Sequence, residues 1–213
     1  MSMEINNPRR FLHALSEMGI HRYVSGKSEQ PSLSDLCHRV EGCTKCGLAK
    51  TRKSVVFGEG HDHARLLFVG EAPGEEEDLQ GRPFVGRAGK LLDQMIASIG
   101  LMRADVYICN VLKCRPPHNR DPEASEVEAC RPYLSAQIQA IKPSIICTLG
   151  KHAYNTLLGV DERITRIRGR MTSYEGIPLL PTYHPSFLLR NPDAMKDAHA
   201  DMDKLKSLLS ETG

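Results

Sequence analysis

Short apolar runs alternate with segments of helical periodicity along most of this chain. The four runs, RLLFV, VYICNV, SIICTLG and IPLLPTY, are short enough to be buried strands, and helical patterns such as GKLLDQMIASIG lie between them. A closing helix is predicted from about Asp193. Strands that alternate with helices favour a parallel sheet with helices on both faces. The predicted fold is therefore α/β, a three-layer α/β/α domain around a central, mostly parallel four-stranded sheet.

The beginning of the chain has a different pattern. Apolar positions repeat with helical spacing in RFLHALSEM, and the polar stretch SGKSEQPS follows. We expect residues 1–35 to form an N-terminal helix and linker, and residues 36–213 to form the functional domain.

Composition places the chain among ordinary globular proteins. It has 213 residues, of which 40% are hydrophobic and 25% charged, and its formal net charge is +2. No apolar segment approaches the roughly 18 residues of a membrane span, and the N-terminus lacks the apolar core of a secretion signal. We expect a cytoplasmic monomer with no membrane partner. Four arginines are clustered in RITRIRGR, which is a candidate for contact with a polyanion.

A glycine-rich stretch, GEAPGEEEDLQGRPFVG, follows the first predicted strand. It lacks both the G-K-[ST] ending of a phosphate loop and the G-x-G-x-x-G of a dinucleotide loop, and it is rich in acidic residues. Ligands of parallel sheets gather beyond the carboxyl ends of the strands. GEAPG, Asn110 and the segment YHPSFLLR all fall at such ends, so we expect them to form one pocket for a ligand that is not a phosphate.

Four of the seven cysteines are candidate metal ligands. Cys43 and Cys46 form a C-x-x-C pair, and Cys114 and Cys130 follow in LKCRPP and VEACRP. Thiols in a reducing compartment favour metal binding over disulfides. The spacing alone leaves zinc and an iron-sulfur cluster equally open.

Four long motifs identify a family. GEAPGEEED, GRPFVGRAGKLL, NVLKCRPPHNRDP and YHPSFLLRNP resemble the family 4 uracil-DNA glycosylases, and the resemblance extends over roughly residues 36 to 208. Members of this family carry a 4Fe-4S cluster. The resemblance implies that its ligands are Cys43, Cys46, Cys114 and Cys130.

The resemblance also implies a uracil pocket. Its predicted lining residues are Gly70, Glu71, Ala72, Phe84, Asn110 and His184. Phe84 would stack on the flipped base, and Asn110 would accept from uracil N3–H and donate to O4. Glu71 would stabilise the sugar cation or position water, and His184 would stabilise the departing anion. Ala72 stands where family 1 enzymes have an aspartate, so a directly analogous general base is absent.

The resemblance further implies a DNA-binding surface. Leu188 is predicted to wedge into the duplex, and four residues are predicted to contact the DNA backbone: Lys113, Arg115, Ser186 and Arg190. The acidic residues from Glu75 to Asp78 are predicted to begin a helix. Of these, Glu77 is predicted to approach uracil C5 and so help exclude thymine.

The predicted function is that of a monofunctional uracil-DNA glycosylase acting on single- and double-stranded DNA. It would release free uracil and leave an abasic site for base-excision repair. No lysine stands out as the amine nucleophile that a lyase needs. Two alternatives remain open: a non-catalytic iron-sulfur module that binds nucleic acid, and a zinc-ribbon nucleotide hydrolase.

Overall fold

A computed structural model describes residues 31–211 of the chain. Residues 1–30 of the predicted N-terminal helix and linker therefore lie outside the described residues. None of the helices in the described part has the length and apolar character that a membrane crossing requires. The α-helices are α1 (Leu33–Glu41), α2 (Glu75–Gln80), α3 (Arg87–Ser98), α4 (Ala124–Ile141), α5 (Lys151–Leu158), α6 (Ile164–Ile167), α7 (Pro185–Arg190) and α8 (Met195–Glu211).

A single sheet forms the middle layer. Its strands are β1 (Glu59–Gly60), β2 (Leu66–Gly70), β3 (Tyr107–Asn110), β4 (Ile145–Leu149), β5 (Thr172–Tyr174) and β6 (Ile177–Thr182), in the spatial order β1-β3-β2-β4-β6-β5. The four inner strands are parallel, and β1 and β5 pair with them antiparallel at the two edges. The predicted parallel four-stranded core is confirmed, with two short edge strands in addition.

The sheet is apolar on both faces because helices cover both. Successive residues of β2 point to opposite sides. Leu66 and Phe68 enter the apolar core that includes Leu92 of α3 and Met202 of α8. Leu67 and Val69 enter a second core, to which α4 and α5 contribute. The arrangement is the three-layer fold that the alternating pattern predicts.

The parallel strands bring distant residues to one edge of the sheet. Gly70 and Asn110 end neighbouring strands and are register partners. The segment after β4 is joined to the end of β6 by a hydrogen bond from Gly150 N to Thr182 O, 2.9 Å long. The loops after all four inner strands therefore meet at the carboxyl edge, where an α/β sheet holds its ligand.

Candidate active site and metal centre

A cleft of about 580 Å³ opens at this edge of the sheet. Five of the six residues predicted for the uracil pocket line it directly, and the sixth, Gly70, packs against the side chains of Asn110 and Phe84. The cleft is also lined by residues that the sequence interpretation did not single out: Asn119, Asp121, Ile164, Lys151, His152 and Tyr183.

The floor of the cleft carries an unpaired acceptor. Asn110 is only 2% exposed, and its Oδ1 has no hydrogen-bond partner among the described residues. A Cβ on Gly70 would lie 2.3 Å from that oxygen, so a glycine is needed there for Asn110 to keep its position. Buried polar atoms are nearly always hydrogen-bonded. The free Oδ1 thus indicates a ligand with an N–H or O–H donor.

An aromatic ring forms one wall of the cleft. Phe84 is buried in a left-handed backbone conformation, φ 51°, and its ring centroid lies 5.6 Å from that of His184. Arg103 donates to the carbonyls of Pro83 and Phe84. Gly89 of α3 packs so closely that a Cβ there would lie 1.8 Å from the Phe84 carbonyl oxygen. These contacts hold the ring in place.

Glu77 joins the two loops beside the cleft. Its Oε1 accepts from the backbone N–H groups of Val85 and Gly86, at 2.9 and 3.1 Å, and its Oε2 accepts from Gly74 N at 3.1 Å. The helix predicted to begin at the acidic residues from Glu75 to Asp78 is confirmed as α2. The role of Glu77 against the C5 methyl group stays a prediction.

His184 is held as a neutral hydrogen-bond donor. Its Nδ1 accepts from the backbone N–H of Ser186, 3.1 Å away, and lies 2.8 Å from Ser186 Oγ. Burial, together with the nearby charges of Arg190 and His152, lowers the pKa of His184 to about 4. At neutral pH the ring is uncharged, and because Nδ1 is an acceptor, Nε2 carries the proton.

Glu71 lies beside two residues that the sequence interpretation missed. His152 Nε2 is 3.8 Å from a Glu71 carboxylate oxygen and 3.8 Å from Asp121 Oδ2. Burial raises the pKa of Glu71, and Asp121 adds to the rise, whereas His152 and Lys151 oppose it. His152 follows the end of β4 closely, so the rule that pointed to Asn110 could also have found it.

The residues predicted to contact DNA divide into two groups. Ser186 and Arg190 line the cleft. Arg115 is close by, and its Nε donates to Asn119 Oδ1 at 2.8 Å.

The structure corrects two of the predicted DNA contacts, those of Lys113 and Leu188. Lys113 is 0% exposed, and its Nζ donates to the carbonyl of Asn110 at 2.7 Å, so it does not reach a DNA backbone. Leu188 is 1% exposed and belongs to the main apolar core, so it is not placed to enter a duplex. The neighbouring Leu189 is 38% exposed.

The four candidate metal ligands line one small cavity. Cys43 and Cys46 follow α1, Cys114 follows β3, and Cys130 is on α4. Arg52 donates to Cys114 Sγ at 3.2 Å, and Lys113 N donates to Cys130 Sγ at 3.3 Å. Burial raises the pKa of Cys130 to about 11, and the charge and N–H of Lys113 oppose that rise. Four converging thiols beside two cations fit a metal centre of net negative charge.

The other buried thiols, Cys109 and Cys147, do not line this cavity. Cys109 and Cys147 are fully buried in β3 and β4, and burial raises the pKa of each. They pack as small apolar side chains, as their surroundings in the sequence predict.

Comparison with known proteins decides the family. The model of the uracil DNA glycosylase superfamily matches residues 57–205. The chain belongs to that superfamily. It is 47% identical over 188 residues to a type-4 uracil-DNA glycosylase of Saccharolobus solfataricus, which covers 84% of this chain and 87% of that protein. A type-4 enzyme of Thermotoga maritima is 47% identical over 179 residues, covering 82% and 93%.

A type-5 uracil-DNA glycosylase of Pyrobaculum aerophilum is more distant, 28% identical over 185 residues, covering 71% of this chain and 81% of that protein. The family predicted from the four motifs is confirmed.

Proposed function

We propose that this chain is a monofunctional uracil-DNA glycosylase. It flips uracil out of single- or double-stranded DNA, hydrolyses the N-glycosidic bond, releases free uracil and leaves an abasic site for base-excision repair. The observation that carries this proposal is the unpaired Asn110 Oδ1, buried at the floor of a cleft whose walls include the Phe84 ring and a neutral imidazole.

These groups match the edge and face of uracil. Asn110 Oδ1 accepts from N3–H, and its amide donates to O4. Cytosine presents the reverse pattern at both atoms, so the same amide rejects it. Stacking on Phe84 contributes about 1 to 3 kcal/mol, as is typical of base–aromatic contacts.

The chemical step separates charge across the cleft. Positive charge develops on the sugar as the bond to the base breaks, and negative charge develops on uracil. The His184 Nε2–H stabilises the uracil anion as a neutral donor in a partly desolvated site. Glu71 faces the sugar, where its carboxylate stabilises the cation or positions the attacking water. His152 and Asp121 are close enough to Glu71 to influence its ionisation.

The cysteine cavity is proposed to hold a 4Fe-4S cluster. Cys43, Cys46, Cys114 and Cys130 are the ligands, and the cluster ties the segment after α1 to the segment that follows Asn110. Such a link is mainly structural, because it closes chain loops that would otherwise cost entropy.

The DNA is held at the rim of the cleft. Arg115 and Arg190 are proposed to contact phosphates beside Ser186, and the exposed Leu189 is proposed to fill the gap left by the flipped base.

The decisive experiment uses uracil-containing oligonucleotides. Purified protein is incubated with single- and double-stranded substrates, and abasic sites are cleaved with alkali, with thymine in place of uracil as the control. Cleavage only at uracil is expected. DNA binding without cleavage would favour the non-catalytic iron-sulfur module instead.

The metal is tested separately. The protein as isolated without oxygen should absorb near 400 nm and contain about four irons per chain. Stoichiometric zinc with little iron would contradict the cluster, even if uracil were released.

A further inference from the structure

Lys113 is an unusual residue in this fold because it is a fully buried cation. Its exposure is 0%, and it ranks among the largest side chains that are completely enclosed. Lysine is almost never fully buried unless a partner compensates its charge. Among the described residues, no carboxylate lies within ion-pair distance of Lys113.

The contacts of Lys113 connect two sites. Its ammonium donates to the carbonyl of Asn110 at 2.7 Å, and its own backbone N–H donates to Cys130 Sγ at 3.3 Å. Its carbonyl accepts from Val56 N at 2.8 Å. The residue is thus fixed at both its backbone and the end of its side chain.

The cysteine cavity can supply the counter-charge, because Lys113 lines its wall and the charge of Lys113 acts on the thiol of Cys130. Four thiolates around a 4Fe-4S core, or around a divalent ion, leave a net negative charge. The metal centre therefore offers Lys113 an electrostatic partner, while the carbonyl of Asn110 offers it a hydrogen bond.

We propose that Lys113 is a positioning residue through which the metal centre supports base recognition. The negative centre stabilises the ammonium in the interior, and the ammonium fixes the carbonyl of Asn110, and with it the side chain that reads uracil. This inference rests on the proposed function. It assigns Lys113 to the coupling of the two sites.

Two substitutions test the proposal on the full chain. Lys113→Met keeps the apolar stem and removes the ammonium, and Lys113→Gln keeps an N–H donor without the charge. Binding of free uracil is measured by calorimetry, iron per chain by chemical analysis, and excision at saturating and at limiting DNA. In Lys113→Met, the affinity for uracil and the maximal excision rate should each fall roughly tenfold or more, as for loss of a charged hydrogen bond. The DNA concentration at half-saturation should stay within about twofold, because the rim residues are unchanged.

Arg52→Met is the matched control. The Arg52 side chain also donates to a candidate ligand, Cys114 Sγ at 3.2 Å, and it donates to the Glu41 carbonyl at 2.9 Å, whereas it makes no hydrogen bond to Asn110. Arg52→Met protein that retains its iron should keep its affinity for uracil, because its Lys113 is unchanged. An equal loss of uracil affinity in iron-loaded Arg52→Met would overturn the proposal.

The other outcomes are equally decisive. Uracil affinity within twofold of the native value in Lys113→Met would show that the ammonium does not position Asn110. If Lys113→Met is insoluble, Lys113→Gln is measured in its place, and insolubility of both would assign the residue to the fold alone. If the native protein releases no uracil from DNA, the proposed function fails, whatever the variants bind.

Discussion

Asn110→Asp changes the hydrogen-bond pattern at the cleft floor without changing the size of the side chain. The native amide offers one acceptor and one donor, and the acceptor is free in the structure. An ionised aspartate offers two acceptors. Uracil N3–H would keep its partner, but O4 would face a carboxylate oxygen in a site where position 110 is 2% exposed.

The size of the effect follows from this change. Bidentate base readout is worth about 1 to 3 kcal/mol of discrimination, and a polar group facing a like partner in a buried site is costly. Uracil excision by Asn110→Asp should therefore fall roughly 10- to 200-fold at pH 8. Because burial disfavours the charged carboxylate, its pKa should rise. Lowering the pH would then restore an O–H donor toward O4, and part of the activity should return near pH 6.

The assay compares oligonucleotides that differ only in uracil or cytosine, under single-turnover conditions at saturating enzyme. Weak cytosine excision is expected at the lower pH, where one carboxyl oxygen accepts from the cytosine N4 amino group and the protonated oxygen donates to cytosine N3. Asn155→Asp is the control for added negative charge, since Asn155 lies on α5 and bonds to the backbone of Glu162. Unchanged uracil excision by Asn110→Asp would show that this side chain does not read the base.

Three further substitutions test the rest of the site. His184→Ala should slow excision about 100-fold with little change in DNA affinity, because its donor acts mainly on the developing anion; a loss explained by weaker DNA binding would contradict this. His152→Gln should shift the acidic limb of the pH–rate profile to higher pH, because His152 opposes the raised pKa of Glu71. An unchanged acidic limb would show that His152 does not influence the ionisation of Glu71. Leu188→Ala should lower the free energy of unfolding in urea by about 2 to 5 kcal/mol, and Leu189→Ala by less than about 0.5 kcal/mol. Only Leu189→Ala should slow excision from double-stranded DNA more than excision from single-stranded DNA. An equal loss of rate on both substrates would show that Leu189 does not act as a wedge.

The site was largely predictable because one topological rule applies to it. Polar residues at the carboxyl ends of parallel strands converge, and this rule located Glu71, Asn110 and His184 correctly at one cleft. It would also have found His152 had it been applied to the segment after β4. The edge strands β1 and β5 were missed because two or three residues are too few for a recognisable alternation.

The direction of a side chain was harder to predict than its location. Leu188 and Leu189 are adjacent in a short helix, where one residue turns the side chain by about 100°. The sequence therefore offers no means of telling which of the two is buried. Lys113 stands in a basic segment typical of DNA contacts, and nothing in the sequence shows that its side chain is buried against the Asn110 carbonyl.

The close approach of Gly89 to Phe84 has a consequence for protein engineering. Replacing a glycine inside a helix by alanine is a standard route to thermostability and gains about 0.5 to 1 kcal/mol where space allows. In α3 the new methyl group would collide with the Phe84 carbonyl and displace the ring from its strained conformation. The glycine therefore lowers the helix propensity of α3 but leaves room for the backbone of Phe84. Attempts to make this enzyme more heat-resistant should leave Gly89 untouched and seek their gains elsewhere in the chain.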